Sequence, residues 1–452
     1  MSNQDRTIFR GGRVVDPANG VDRVADVLIE AGRVTRVGPN LEIESGTVVI
    51  EIPGGGVVCP GFIDMHVHLR EPGYEHKETV ATGVAAAVAG GFTAVACMPN
   101  TKPINDDAAI TRLILLRAAQ AGLARVYPIG AVTQGQAGEQ LAEIGELRAA
   151  GCVAVSDDGH PVANASLMRR ALEYAAMFDM PVIDHCEEAS LAGDGVAHEG
   201  YHAAALGLRG LPAAAEEINV ARDVTLSRLT GSPVHIAHLS ARGALDAVRS
   251  GKDRGVRVSC EVTPHHFTLT DEQLVGYDTN YKMNPPLRET DDVEAMLEGL
   301  RDGSIDCIAT DHAPHHYDEK LVEFDHAPFG IVGLETAVSI CLDRLVHAGH
   351  VPLSRLVELL AVNPARILGV PGGDLSVGAP ADITVLAPEL VVTVEAAAFR
   401  SLARNTPFDG WSLRGGVAAT IVGGRTVYMN ESVPGATAFD QCRAASLGDE
   451  GH

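Results

Sequence analysis

Eight short apolar segments alternate with helix-like segments between residues 60 and 372, and this alternation limits the chain to few architectures. The intervening segments are rich in Ala, Leu, Arg and Glu and carry Asn or Asp near their starts, which is typical of helices. Eight strand–helix units favour a parallel sheet closed into a barrel. The strand candidates are GFIDMHVHL from Gly61, FTAVACMPN from Phe92, RVYPIGAVT from Arg125, CVAVSDDG from Cys152, PVIDHCE from Pro181, PVHIAHLS from Pro233, RVSCEVTPHH from Arg257 and SIDCIATDHAP from Ser304.

The predicted fold class is α/β, with a (β/α)8 barrel of the TIM type over residues 60–372. An open doubly wound sheet would also alternate strands and helices. We favour the barrel because there are eight units, and because the chain has neither a GxGxxG motif nor a Walker A loop.

The two ends of the chain consist of short Val- and Ile-rich runs separated by Gly and Pro, which indicates β-structure. The fragment GGRVV at Gly11 recurs as GGRTV at Gly423. We therefore predict one small β-sandwich domain built from residues 1–59 together with residues 373–430. Residues 431–452 are interpreted as a loose polar tail.

Composition excludes several classes of partner. With 35 basic and 59 acidic residues the net charge is −24, which argues against binding to nucleic acid or to an anionic membrane. The N-terminal residues lack an apolar signal segment, and the most apolar window, from Gly83, is too short to span a bilayer. The eight cysteines are widely spaced without a CxxC pair, which predicts reduced thiols in a cytoplasmic protein.

Polar residues cluster at the carboxyl ends of the predicted strands. In a barrel these ends meet at one mouth, where active sites form. His66 and His68 are two residues apart on a strand, so both imidazoles face the same side and can bind one metal ion. Imidazole and carboxylate ligands without thiolate suit a catalytic zinc site, and Cys186 is predicted to face away from it. The clustered residues are His66, His68, Asn100, Asp157, Asp158, His185, His238, His265, His266, Asp311 and His312.

Seven motifs together resemble the dihydroorotase family of the amidohydrolase superfamily. They are PGFIDMHVHLREPG, MPNTKP, SDDG, DHCE, HIAHLS, KMNPPLR and ATDHAPH, and the resemblance extends over nearly the whole chain to GDLSVGAPADITVL. An HxH motif on the first strand with an aspartate after the last strand indicates only the superfamily. The motifs MPNT, KMNPP and ATDHAPH narrow the resemblance to the dihydroorotase family.

The resemblance implies a pair of zinc ions. His66, His68 and Asp311 would hold the first ion, His185 and His238 the second, and Asp158 would bridge both. Many relatives bridge through a carboxylated lysine, but CVAVSDDG contains none, so the chain resembles the subgroup that bridges through Asp. Asp157 is interpreted as a turn or supporting residue and His235 as structural.

The resemblance also implies the substrate contacts. Arg70 would pair with a carboxylate, and Asp311 would transfer the proton during catalysis. Residues 312–330 are predicted to form a polar, mobile loop at the rim without helical periodicity. The full set of implied substrate contacts is His68, Arg70, Asn100, Asn284, His315, Phe329 and Gly330.

The implied activity is the interconversion of N-carbamoyl-L-aspartate and L-dihydroorotate in pyrimidine biosynthesis. One alternative is another cyclic amidase, such as allantoinase or hydantoinase, although these typically need the bridging lysine. The other is an inactive scaffold for aspartate transcarbamoylase, which would have lost ligands that this chain retains. A homo-oligomer and a complex with aspartate transcarbamoylase are both compatible with the resemblance.

Overall fold

A computed structural model of the chain describes residues 6–442. The described strands are β1 (Arg6–Asp16), β2 (Val21–Glu30), β3 (Arg33–Gly38), β4 (Val48–Glu51), β5 (Val57–Pro60), β6 (Phe62–Val67), β7 (Phe92–Cys97), β8 (Arg125–Gly130), β9 (Ala154–Val155), β10 (Val182–Asp184), β11 (Ala197–His198), β12 (Gly210–Leu211), β13 (Val234–Ile236), β14 (Val258–Val262), β15 (Cys307–Ile308), β16 (Ile383–Thr393), β17 (Ser412–Val422) and β18 (Arg425–Met429).

Helices connect the central strands and cover them. Two of these helices, Ala337–Cys341 and Leu353–Val357, continue into wider π-type turns at Leu342–His347 and Glu358–Val362. The described helices are α1 (Val80–Ala89), α2 (Ala108–Ala121), α3 (Ile144–Ala150), α4 (Ala165–Ala176), α5 (Ala189–Ala192), α6 (Tyr201–Leu206), α7 (Ala213–Thr230), α8 (Arg242–Asp253), α9 (Thr290–Asp302), α10 (Tyr317–Lys320), α11 (Ala337–Cys341), α12 (Leu353–Val357) and α13 (Asn363–Leu368).

The central sheet is a parallel barrel in the order β6-β7-β8-β9-β10-β13-β14-β15. It closes where Val67 pairs with His312 in parallel, next to a 2.8 Å hydrogen bond from the His68 amide to the His312 carbonyl. The predicted (β/α)8 barrel is thus confirmed over an open sheet. Its interior is filled by small and medium apolar side chains, among them Met65, Ala96 and Ile183, so the barrel is a packed core and not a channel.

The two chain ends form one sheet, in the order β18-β17-β16-β5-β1-β2-β3 with β4 beside β1. β5 joins the halves because it pairs in parallel with β1 and antiparallel with β16, where Pro60 lies opposite Ile383. Side chains from both ends enclose one core, which includes Phe9 and Ile421. This sheet is fixed to the barrel by an ion pair from Arg125 Nε to Asp382 Oδ2 at 2.6 Å.

The polar tail predicted from residue 431 is wrong for its first part. Residues Ala436–Cys442 form a 3-10 helix, and Val433, Ala436 and Phe439 are buried in the core of the end sheet. The error arose because these few apolar residues stand in a polar run, where periodicity is too weak to indicate packing. Residues 443–452 lie outside the described residues.

Among residues 6–442, no helix combines the length and the apolar character needed to cross a membrane.

Candidate metal centre and substrate cavity

The polar residues of the predicted mouth lie at or just beyond the strand ends. His66 belongs to β6, but β10, β13 and β15 end one to three residues before His185, His238 and Asp311, so these three are on loops and not on strands as expected. Two of these loop residues have unusual backbone angles: φ is +29° at His238 and +48° at Asp311. Such strained non-glycine residues persist only where the surroundings fix them, and they concentrate at functional sites.

Five side chains converge around the Asp158 carboxylate. Asp158 Oδ1 lies 3.4 Å from His66 Nε2, 3.7 Å from His185 Nδ1 and 3.5 Å from His238 Nε2. Asp158 Oδ2 lies 3.5 Å from His68 Nε2, which in turn is 3.0 Å from Asp311 Oδ1. Asp158 therefore sits between a His66–His68–Asp311 group and a His185–His238 group.

Two supporting oxygens fix which imidazole nitrogen faces this cluster. His66 Nδ1 is 2.8 Å from Glu261 Oε1, and His68 Nδ1 is 2.8 Å from Asn100 Oδ1. Both oxygens are acceptors, so each Nδ1 donates its proton away from the cluster and each Nε2 is turned toward it, where it would bind a metal ion as the neutral imidazole. Asn100, chosen as a substrate contact, thus also orients His68.

The centre has the donor atoms that a metal ion requires. His66 Nε2 and Asp158 Oδ1 are buried, face each other, and have no hydrogen-bonding partner among the described residues. Burial would raise the pKa of the Asp158 carboxyl, but the His66, His238 and His68 imidazoles lower it well below its ordinary value. The ligand atoms of His66, His68 and Asp311 lie within 4.8 Å of one another, as do those of His66, Asp158 and His238, and either set fits a cation between its members.

A cavity of about 360 Å³ opens above this centre. It brings together every predicted metal or substrate residue except His66, which lies beneath it. Its lining residues are His68, Arg70, Asn100, Asp158, Gly159, His185, His238, Asn284, Asp311, Ala313, His315, Pro328, Phe329 and Gly330.

The cavity wall on the side of residues 312–330 is fixed by hydrogen bonds to backbone carbonyls. Arg70 Nε donates to Pro314 O at 3.1 Å, and His315 Nε2 donates to Phe329 O at 2.8 Å. Arg70 itself has φ of +62°, which turns the chain outward after His68. The expectation of a loop without helix is wrong, because α10 forms one helical turn within it.

Other polar residues from the strand ends have partners away from the cavity. Asp157 accepts from the Val132 and Thr133 amides at 2.8 and 3.1 Å. His266 contacts Thr263 Oγ1 and Pro285 O, and His312 Nε2 lies 3.4 Å from Glu78.

The remaining predicted structural residues also lie outside the cavity. His235 contacts Ser259 Oγ at 2.8 Å and Glu261 Oε2 at 3.2 Å. The Cys186 thiol is 3.6 Å from the carboxylates of both Asp184 and Asp223.

Two acidic residues near the centre were missed by the sequence analysis. Glu261 is fully buried on β14 and contacts both His66 and His235, and Glu187 Oε2 accepts from Asn284 Nδ2 at 2.9 Å. For Glu261 a signal existed: it is the single acidic residue of the apolar run RVSCEV, and a buried carboxylate requires polar partners.

The chain is similar to named proteins over nearly its full length. It is 54% identical over 421 residues to the dihydroorotase of Geobacter metallireducens, covering 93% of this chain and 99% of the relative. The dihydroorotase of Anaeromyxobacter dehalogenans is 55% identical over 426 residues, with 94% and 98% covered. The chain belongs to the dihydroorotase family. A family model described as Dihydro-orotase-like matches residues 55–244, which carry HxH, Asp158, His185 and His238.

The fold of this dihydroorotase-family chain is similar to that of solved structures over nearly its full length. L-hydantoinase from Arthrobacter aurescens superposes with a TM-score of 0.84 at 24% identity, covering 94% of this chain and 97% of that one. D-hydantoinase from a Thermus species has a TM-score of 0.80 at 26% identity, with 94% and 97% covered. The barrel with a sheet from both chain ends is therefore shared with these hydantoinases.

Proposed function

We propose that the chain is a zinc-dependent dihydroorotase that interconverts N-carbamoyl-L-aspartate and L-dihydroorotate in pyrimidine biosynthesis. The observation that carries this proposal is the joint placement of a metal-type centre and one arginine on the same cavity. Membership of the dihydroorotase family, at 54% identity to a named relative, supports it.

Zinc is proposed because the donors are imidazole nitrogens and carboxylate oxygens. His66, His68 and Asp311 would hold one ion, His185 and His238 a second, and Asp158 both. Bound zinc supplies acidification of water and polarisation of the amide carbonyl. Among the described residues the cavity is lined by no lysine, so a carboxylated lysine has no place at this centre.

Asp311 is the proposed proton carrier. Burial opposes ionisation, but the His68 hydrogen bond and the neighbouring His66 and His68 imidazoles lower the pKa of Asp311 below its ordinary value, so the carboxylate is ionised. It lines the cavity with the substrate contacts, and its backbone angle is strained. In the hydrolytic direction Asp311 takes the proton of the attacking water and gives it to the leaving ring nitrogen.

The substrate side of the cavity is proposed to hold the carboxylate that the ring retains. Arg70 supplies the charge, and the neighbouring Asn100 and His315 supply hydrogen bonds. Hydantoin and allantoin lack this carboxylate, so the arginine favours dihydroorotate over them. Asn284, Phe329 and Gly330 complete the wall of the cavity.

The proposed function is tested by metal analysis and turnover on one sample of the purified chain. We expect about two zinc ions per chain, and turnover of carbamoyl aspartate and dihydroorotate in preference to hydantoin and allantoin. Preferred turnover of hydantoin or allantoin would contradict the substrate assignment. A zinc-loaded chain that turns over none of the four compounds would favour the scaffold alternative.

We expect activity to be independent of bicarbonate, because an aspartate bridge needs no CO2 whereas a carboxylated lysine does. The measurement is reconstitution of the metal-stripped chain with zinc, with and without bicarbonate. A clear requirement for bicarbonate would contradict the Asp158 bridge.

Glu261→Gln is expected to weaken zinc binding about 10- to 100-fold, the usual effect of losing a group that orients a metal-binding histidine. Glutamine keeps the volume but is a weaker acceptor for the His66 Nδ1 proton. Zinc affinity is measured by competition with a chromogenic chelator. Glu335→Gln is the matched control, since Glu335 accepts from the Arg400 and Ser401 amides, away from the proposed metal ligands; equal losses in both variants would disprove the specific role of Glu261.

We also propose a cytoplasmic location, which is supported by the seven cysteines between Cys59 and Cys341, because all seven are buried and free. Self-association and a complex with aspartate transcarbamoylase remain predictions, for which sedimentation of the purified chain with and without that partner is the measurement.

A further inference from the structure

Two buried lysines lie outside the cavity and have no part in the chemistry described above. Lys282 is 2% exposed and Lys320 is 6% exposed. Lysine is almost never buried to this extent without compensation, because removing an ammonium from water is costly. Burial accordingly lowers the pKa of Lys282 to about 8 and that of Lys320 to about 7.

Both ammonium groups are surrounded by backbone carbonyls. Lys320 Nζ donates to Pro328 O at 2.7 Å, Thr279 O at 3.0 Å and Lys282 O at 3.4 Å, which uses all three of its protons. Lys282 Nζ donates to Phe324 O at 2.7 Å and Asp325 O at 3.0 Å.

These bonds connect two segments that both reach the substrate cavity. The first is residues 279–284, which ends at Asn284, and the second is residues 313–330, which carries His315, Phe329 and Gly330. Two further contacts also join these segments. Gly330 N donates to Lys282 O at 2.9 Å, and the Lys282 ammonium lies 4.8 Å from the centre of the Phe329 ring.

We propose that Lys282 and Lys320 are positioning residues that hold residues 313–330 against residues 279–284, so that the substrate-binding wall of the cavity is formed before substrate arrives. This inference rests on the proposed function for the identity of the substrate. An unpinned loop would populate the binding-competent arrangement only part of the time, and the apparent affinity would fall by that fraction. The chemical step would be unaffected, because neither lysine touches the metal centre.

Lys320→Met tests the proposal, since methionine keeps an unbranched apolar chain and removes all three donors. We expect KM for dihydroorotate to rise about tenfold with kcat changed less than about twofold, the signature of lost uniform binding. Amide hydrogen exchange in residues 317–329 should become faster by a similar factor, while barrel strands and zinc content stay at wild-type values. Lys282→Met is the second variant and should give the same pattern.

Lys252→Met is the matched control. Lys252 Nζ also donates to a carbonyl, Ser304 O at 2.7 Å, and pairs with Asp306 Oδ2 at 2.6 Å, but both partners precede β15 at the amino ends of the barrel strands, away from the cavity. It should change neither KM nor exchange in residues 317–329.

Three results would overturn the proposal. Unchanged exchange in residues 317–329 would show that the lysines do not pin the loop, and faster exchange with unchanged KM would show that pinning does not serve substrate binding. Faster exchange throughout the barrel in both variants would show a general structural role. Failure of the proposed function is seen separately, as lack of dihydroorotate turnover by the unaltered chain, and the exchange comparison still reports on pinning in that case.

Discussion

Asp158→Asn should abolish catalysis and zinc binding together, with activity reduced about 1000-fold or more, because a metal centre contributes several kcal/mol of transition-state stabilisation. Among residues 6–442, the Asp158 carboxylate is the one group that faces both histidine pairs, at 3.4 to 3.7 Å from four imidazole nitrogens. Asparagine has the same shape but no negative charge with which to bridge two cations. Zinc content and dihydroorotate turnover on the same sample are the measurements.

Asp157→Asn is the control for that variant, since the two residues are adjacent and the substitution is identical. Asp157 Oδ1 accepts from the Val132 and Thr133 amides, and an asparagine oxygen can replace it there. We expect zinc content and activity near wild type. Similar losses in both variants would show that the bridge is assigned to the wrong residue or that either charge serves equally.

Arg70→Ala should lower kcat/KM by roughly 30- to 1000-fold, which corresponds to about 2–4 kcal/mol for a charge-assisted carboxylate contact. Arg70 is the one arginine among the described cavity-lining residues. Its Nε donates a hydrogen bond to Pro314 O, and this bond fixes the position of the guanidinium at the rim of the cavity. Arg70→Lys should recover only part of the loss, because an ammonium cannot form the planar fork.

Zinc content and melting temperature separate binding from structure in the Arg70 variants. Both quantities should stay near wild type, since Arg70 is not within the metal-type cluster. Loss of zinc or of folding in Arg70→Ala would mark the residue as structural. Full kcat/KM would place the carboxylate-binding group elsewhere on the rim.

The barrel could be predicted from the sequence because each strand is a continuous apolar run, buried on both sides, between helical segments. The metal-type cluster followed from the same physics, since residues at the ends of parallel strands must meet. Spacing alone did not distinguish Asp158 from Asp157, because neighbouring loop residues face different ways according to φ, and φ is not visible in a sequence.

The supporting contacts were harder to predict because they join residues that are distant in the chain. Glu261 meets His66 across 195 positions, and only the closed barrel brings them together. Lys320 lies in a run of charged residues, a pattern that predicts an exposed side chain. It is buried because carbonyls of another segment accept its protons. Phe439 was missed for the related reason that a lone aromatic residue in a polar run has no periodic partners.

The position of β5 between β1 and β16 sets an order of events during synthesis. β5 leaves the ribosome early, but its partner β16 follows only after the entire barrel has been made, a delay on the order of tens of seconds at ordinary translation rates. Throughout that interval the Val57–Pro60 edge has no β16 to cover it, and uncovered apolar edges recruit other chains. We therefore expect heterologous production to improve when translation is fast or when a chaperone that holds nascent chains is abundant.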